Sequence, residues 1–534
     1  MIRLGTSIRP LAGILLVAAI AWLAFTLPGH PDAIGLDAFA RLPLELPLLM
    51  LLLLLVPSTW RKITALTCGL LLLIILCLKF ADIGTQAAFQ RPFNPYLDIK
   101  MLVDGWNLMS GTVGPLVAFA AIAAGILSLV LLLALFLIAA RWFSNISRPG
   151  RSWLVLTLVG ITLAGGTAAY LGVPRVEARL PSYLKNRLTL VVRSVQDMHV
   201  FESALASGEG PKTGEGLFTA IEDKDFVLIF VESYGRSAID DPRYADITRP
   251  RLEKVEADIS AAGLASASAW ATSPTVGGLS WLAHGALLSG LWTDSQARYD
   301  RLMISRQPSL NRLFSDAGWK PIAAMPAITM AWPEAAYYGY RQVLAAADLE
   351  YRGKPFNWVT MPDQYTLSAF ERLGRAPARA AGEKVMAEIA LISSHAPWTP
   401  VATLVDWDDV GDGTIFNAQA ESGDPPSVVW ADPERVRRQY IQTIDYSLET
   451  LGSYMARFGE DTVFVILGDH QPAAIITGPD ASRAVPIHVV SSDRELISRF
   501  EREGFSPGML PMEQTREWPM NAMRQVLIDL FSED

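Results

Sequence analysis

Residues 224–233 read KDFVLIFVES. Six apolar side chains, Phe226 to Val231, follow one another between Lys224–Asp225 and Glu232–Ser233. An unbroken apolar run of that length, closed at both ends by charge, is the pattern of a strand buried on both faces. The pattern returns at 320–324 (KPIAA), 386–393 (MAEIALIS), 461–467 (DTVFVIL) and 485–490 (VPIHVV). Between these runs, 275–288 reads as a helix and 433–458 as a long amphipathic one. Apolar strands alternating with helices predict an α/β domain whose central sheet is mostly parallel and covered by helices. In such a sheet ligands collect beyond the carboxyl ends of the strands. Glu232, His395 and the pair Asp469–His470 follow three of these strands, so parallel strands would bring them to one edge.

Upstream the composition changes. The chain of 534 residues is 51% hydrophobic, with mean hydropathy +0.27, and the apolar excess lies before about residue 175. Five stretches are candidate membrane spans: about 11–27, 43–56, 63–78, 115–140 and 153–171. The first also has the length of a signal peptide, although no small-residue cleavage site follows it. The second is short enough to be re-entrant. Arg3 and Arg9, then Arg61 and Lys62, then Arg141, Arg148 and Arg151 fall on one side if there are five spans. By the excess of positive charge on cytoplasmic loops, the N-terminus is expected to be cytoplasmic and everything after about residue 172 outside. The expected organisation is a five-helix membrane domain (1–173), a connector (174–216) and an exported α/β domain (217–534). The connector mixes Arg175, Arg179, Lys185, Arg187 and Arg193 with Leu and Val, which suits an amphipathic helix at the headgroup layer or a solvated linker. It ends in the flexible 208–216 (GEGPKTGEG).

A net charge of −9 without a basic stripe argues against nucleic acid as partner. Cys68 and Cys77 both lie in one apolar span, so the exported domain has no disulfide.

The residues at the strand ends carry the chemistry. A carboxylate beside an imidazole, as in GDHQP (468–472), offers a hard oxygen and a nitrogen to a divalent metal, or else forms a capped turn. Glu232 directly follows an apolar run, where an ionised carboxylate needs a partner: a metal, Arg236 or a helix N-terminus. Thr275 sits where a helix is expected to open. Taken alone it reads as an N-cap; Thr272, Ser273 and, further on, Ser280 are other hydroxyls of this stretch.

In combination, FVESYG (230–235), SPTVGGLSWLAHGALLSG (273–290), SSHAPW (393–398) and GDHQP resemble the alkaline-phosphatase/sulfatase superfamily. The likeness extends to its bacterial membrane-bound phosphotransferases: lipoteichoic acid synthases, periplasmic-glucan phosphoglycerol transferases and phosphoethanolamine transferases. The resemblance implies a metal site of Glu232, Thr275, Asp469 and His470, with Thr275 as nucleophile and His395 as a contact to the phosphoryl group. It implies one divalent metal, zinc or manganese, and leaves a second open. The implied activity moves a phospholipid-derived headgroup, through a phospho-threonine, to an extracytoplasmic glycan or lipid. A hydrolase of the same fold and a non-catalytic envelope-assembly scaffold are the alternatives.

The sequence also departs from those relatives. The stretch 323–340, AAMPAITMAWPEAAYYGY, lacks the His and Arg that hold glycerol phosphate in lipoteichoic acid synthases and keeps only Trp332 as a weak substrate contact. The disulfides of phosphoethanolamine transferases are missing. No C/S-x-P-S-R segment of a sulfatase occurs. His488 either faces the site as a weak substrate contact or is a core histidine. His284 reads as packing or as a hydrogen-bonding residue, and Asp363 has no assigned role.

Overall fold

The computed structural model describes residues 8–99, 106, 114–208, 210–479 and 481–532. Arg3, the middle of the 79–114 loop and Glu209 of the expected linker lie outside the described residues. The chain divides into two compact units, 1–87 with 91–197, and 88–90 with 198–534.

The first unit is helical: α1 (Ile8–Thr26), α2 (Glu45–Leu55), α3 (Arg61–Phe89), α4 (Pro115–Phe143), α5 (Arg148–Tyr170) and α6 (Leu180–Ser207), α6 continuing into the second unit. Four of them, α1, α3, α4 and α5, are long and apolar enough to cross a membrane. α2, expected as the second span, has 11 residues; at about 1.5 Å per residue it measures about 16 Å, half a bilayer core. It lies along α5. Leu44, at its start, lies against Gly165 of α5, and the Leu54 carbonyl, at its end, accepts from Arg151 at the start of α5. Leu42–Pro43 extend the path by pairing with Val176–Glu177. α1 and α4 are antiparallel, with Gly13 packed on Ala139, Trp142 and Phe143. At the opposite end, Lys79 Nζ of α3 donates to the Phe25 carbonyl at 3.1 Å. These contacts collect Arg9, Arg61, Lys62, Arg141, Arg148 and Arg151 at one end of the bundle.

The second unit is built on nine described strands: β1 (Asp225–Val231), β2 (Ala265–Thr272), β3 (Trp319–Met325), β4 (Gln342–Ala345), β5 (Lys384–Leu391), β6 (Thr462–Gly468), β7 (Ala484–Ser491), β8 (Ser506–Pro507) and β9 (Glu517–Pro519). Their order is β8-β2-β7-β6-β1-β5-β3-β4, with β9 beside β2. The run β6-β1-β5-β3-β4 is parallel. β7, expected among the parallel strands, is antiparallel to both β6 and β2. β2 (ASASAWAT) was not expected, because its small residues carry no apolar run.

Two rows of side chains leave β1 on opposite faces, as the two-residue period requires. Val227, Ile229 and Val231 join a core with Leu252 and Val255 of α7 (Pro242–Ala261) and with Tyr440, Ile444 and Leu451 of α10 (Pro433–Phe458). Phe226, Leu228 and Phe230 face the other way. Phe226 stacks on Phe314 at 4.7 Å, and Phe230 lies flat against His284 of α8 (Ser280–Ser289) at 3.8 Å. Glu232 continues this second row. The expected helix at 275–288 therefore begins five residues late. Gly277 (φ +73°), Gly278 (φ +145°) and Leu279 (φ +63°) hold a backbone that no helix contains, so α8 starts at Ser280.

Candidate metal centre

The site grows out of the register of three adjacent strands. Val231 pairs with Leu391 of β5 and with Gly468 of β6. The ladder runs one residue further on each side: Glu232 N–H donates to the Leu391 carbonyl at 3.1 Å, and Asp469 N–H to the Val231 carbonyl at 3.2 Å. Glu232, Asp469 and His470 are thereby set side by side at the carboxyl edge. This edge is possible only with Gly468, since a Cβ there would lie 1.8 Å from the Tyr234 carbonyl oxygen.

Each of the three residues is at most 8% exposed, and one ligand atom from each lies within 4.8 Å of the others. Asp469 Oδ1 accepts from the N–H groups of Ser233 at 2.8 Å and His470 at 2.6 Å, which leaves Oδ2 toward the cluster. His470 Nε2 stands 3.3 Å from Glu232 Oε1 and 3.7 Å from Asp469 Oδ2. Its Nδ1 is 2.9 Å from the Gln471 carbonyl. Because a carbonyl only accepts, Nδ1 carries a proton, and Nε2 is the nitrogen turned toward the carboxylates, where a metal ligand needs it.

Electrostatics favour a cation here. Burial and the neighbouring Glu232 carboxylate push Asp469 up to about 7. Burial opposes a charged His470, but Asp469 and Glu232 outweigh it and raise the imidazole to about 9. Burial would also raise Glu232, yet His470, with help from His395, holds it well below the usual carboxylate range. The cluster thus neutralises two buried carboxylates with protons, which a divalent ion would replace. Two carboxylates and an imidazole nitrogen fit zinc or manganese.

Two hydroxyls reach this cluster: Ser233 Oγ donates to Glu232 Oε1 at 2.9 Å, and that of Ser280 meets two of its members. Ser280 Oγ donates to Glu232 Oε2 at 3.1 Å and lies 3.3 Å from His470 Nε2. Ser280 is the first residue of α8, whose leading N–H groups and dipole favour an anion. Thr275 is placed differently. It precedes the glycine turn, and its Oγ1 donates to the Gly278 carbonyl at 2.7 Å; among the described residues its side chain makes no hydrogen bond to the three ligands. Ser273 Oγ donates to the Asp469 carbonyl at 2.6 Å, and Thr272 to Glu517.

His395 lies in the loop after β5 and stacks on Trp358 at 3.7 Å. Beside it, Ser394 Oγ donates to the Glu232 carbonyl at 2.5 Å. Asp363, at the start of α9 (Asp363–Phe370), fixes this loop by accepting from the N–H groups of Ile392 and Ser393 and from Ser447 Oγ, at 2.9, 2.8 and 2.6 Å. Trp332 is half-buried in an aromatic group with Tyr338 and Tyr340, centroids 5.9 and 5.7 Å away. His488 is fully buried within the sheet. Ser268 Oγ donates to the Gly508 carbonyl and so accepts from His488 Nδ1 at 2.7 Å; Tyr234 OH meets Nε2 at 3.2 Å. With both nitrogens occupied, His488 is a core residue and not a substrate contact, and burial pushes it down to about 3.

No family model and no curated protein matches the chain. Among solved structures it is similar to the lipoteichoic acid synthase LtaP from Listeria monocytogenes, with 14% identity over 60% of this chain and 74% of that one and a TM-score of 0.38. It is similar to the C-terminal periplasmic domain of EcEptC from Escherichia coli in complex with Zn, with 14% identity over 58% and 82% of the two chains and a TM-score of 0.38. A third is the Streptococcus pyogenes phosphoglycerol transferase GacH in complex with sn-glycerol-1-phosphate, at 11% identity over 62% and 89% with a TM-score of 0.36.

Proposed function

We propose that the chain is a metal-dependent phosphotransferase of the bacterial inner membrane. It takes a phosphoglycerol- or phosphoethanolamine-type headgroup from a membrane phospholipid and passes it to an extracytoplasmic glycan or lipid. The observation that carries this reading is one hydroxyl, that of Ser280, standing at a helix N-terminus within 3.3 Å of two members of a buried Glu–Asp–His cluster. Hydroxyl, ligands and anion-favouring helix end are the parts that nucleophilic phosphoryl transfer requires.

Glu232, Asp469 and His470 would hold the metal, which when bound supplies positive charge to lower the hydroxyl pKa and to offset charge on the phosphoryl oxygens. Ser280 attacks phosphorus to form a phosphoserine, and diacylglycerol leaves. His395, half-buried at the same edge, gives its proton to the leaving oxygen and recovers one from the acceptor hydroxyl. Four apolar helices, with α2 as a short fifth pass, keep the domain near headgroups. The cationic end of the bundle is cytoplasmic and the second unit periplasmic in this reading, in keeping with the charge rule for loops.

The test uses the detergent-purified full chain with phosphatidylglycerol and phosphatidylethanolamine carrying a labelled acyl chain. Metal-dependent release of labelled diacylglycerol is expected, and none from either lipid with zinc or manganese present would refute the reading. Adding a glycan acceptor and analysing the product distinguishes transfer from hydrolysis.

A further inference from the structure

Activating Ser280 leaves a proton to be placed, and the cluster offers it no base. In the proposed centre Glu232, Asp469 and His470 Nε2 are committed to the metal, and His470 Nδ1 is held by Gln471. One histidine near the hydroxyl is not so engaged. His284 follows Ser280 by four residues on α8, which puts the two on the same face. Side chains on a helix lean toward its N-terminus, so the imidazole lies on the Ser280 side of its own turn. Its ring rests on Phe230, whose row continues into Glu232.

The ring is held from below. His284 Nδ1 is 2.7 Å from Glu388 Oε1. Glu388 is buried on β5, paired in register with Leu228. Its second oxygen accepts from Tyr340 OH and from Asn311 Nδ2, the latter at 3.3 Å. A carboxylate so placed accepts from Nδ1–H and turns Nε2 away from itself. Among the described residues Nε2 has no hydrogen-bond partner, and the side chain is 12% exposed. Carboxylate, imidazole and hydroxyl in this order form the orienter, base and nucleophile of acyl-transfer enzymes.

We propose that His284, oriented by Glu388, is the proton carrier for Ser280. In the first step the Oγ–H bond breaks as Nε2–H forms, Oγ bonds to phosphorus, and the bond from phosphorus to the leaving oxygen breaks. In the second, the acceptor oxygen bonds to phosphorus, the P–Oγ bond breaks, and Nε2 returns its proton to Oγ. In this step His284 exchanges a proton with the reacting hydroxyl and is catalytic, whereas Glu388 acts through it and is a positioning residue. The inference rests on the reading of Ser280 as nucleophile.

The test follows phosphorylation of Ser280 by intact-mass measurement in single turnovers of the full chain with bis(p-nitrophenyl) phosphate. His284→Asn keeps a donor to Glu388 where Nδ1 stood and removes Nε2. It is expected to slow formation and breakdown of the adduct by about 10²–10⁴-fold, with metal content and melting temperature unchanged. In His284→Ala, added imidazole should restore part of the rate, an effect a structural histidine would not show. Glu388→Gln should lower kcat about tenfold or more at constant KM. Adduct kinetics in His284→Asn within threefold of wild type, or His284→Ala unresponsive to imidazole, overturn the proposal while leaving Ser280 as nucleophile. A wild-type enzyme that turns over without a Ser280 adduct overturns both.

Discussion

Ser280→Ala and Thr275→Ala form a pair whose outcomes the geometry separates. Thr275 makes one side-chain hydrogen bond, to the Gly278 carbonyl at 2.7 Å. Losing it costs about 1 kcal/mol, which if it fell entirely on the barrier would be about fivefold in rate. Ser280 meets two charged groups, Glu232 at 3.1 Å and His470 at 3.3 Å. As a mere hydrogen-bond donor to a charged ligand it would contribute about 1.5–3 kcal/mol, a loss of roughly ten- to two-hundred-fold on removal. As the nucleophile its loss is about 10⁴-fold or more. The assay is initial-rate release of labelled diacylglycerol from phospholipid by each purified variant, normalised to bound metal so that a damaged cluster is not mistaken for a lost nucleophile. The expected result is Thr275→Ala within tenfold of wild type and Ser280→Ala below a thousandth of it. A Ser280→Ala enzyme that keeps a hundredth of the activity, or a Thr275→Ala enzyme that loses a thousandfold, refutes the reasoning.

Zinc or manganese at a hundred times its Kd should stabilise the full chain by about 2.7 kcal/mol, read as a rise in melting temperature that a chelator reverses. Asp469→Asn should abolish that rise. Since the ion must displace protons from Asp469, raised to about 7, and His470, raised to about 9, the shift should shrink as pH falls below about 9 and more steeply below about 7; a shift constant from pH 8 to 5 would contradict this. His488, pushed down to about 3 by burial, stays neutral in the fold while the unfolded chain takes up a proton near pH 6.5. Stability from this residue is therefore intact above pH 6.5 and declines by about 1.4 kcal/mol per pH unit below it. His488→Gln, which keeps an acceptor for Tyr234, should flatten that acid slope in thermal melts. Gly468→Ala forces a methyl group into a backbone oxygen and should cost about 3 kcal/mol or more, visible as loss of folded protein.

Much of the fold was legible because the strands around the site advertise themselves. FVLIFV and DTVFVIL can hardly be anything but buried strands, and the residues just past the end of a buried parallel strand are where chemistry is to be sought. β2 was hidden because Ala and Ser fill it, residues that give neither an apolar run nor a clean alternation. The start of α8 was misplaced for a local reason. The stretch from Thr275 is apolar enough to look like one helix, but Gly277–Gly278 is a poor helical pair, and that pair delays α8 until Ser280. Nothing local pointed to Glu388 for His284, because the two are 104 residues apart and only the register of β5 on β1 brings them together. The length of α2 was readable, but its alignment along α5 depends on contacts that hydropathy does not record.

The row Leu228–Phe230–Glu232 gives β1 the character of a vernier. Each residue advances about 3.3 Å and reverses face. Removing one residue between Leu228 and Glu232 would put the strand out of phase and turn the Glu232 carboxylate toward α7 and α10. Removing two would restore the face but leave Glu232 about 6.6 Å short of Asp469 and Ser280. A deletion within β1 is therefore expected to displace Glu232 in face or in depth, because the spacing between the base of the sheet and its carboxyl edge is counted in whole strand periods.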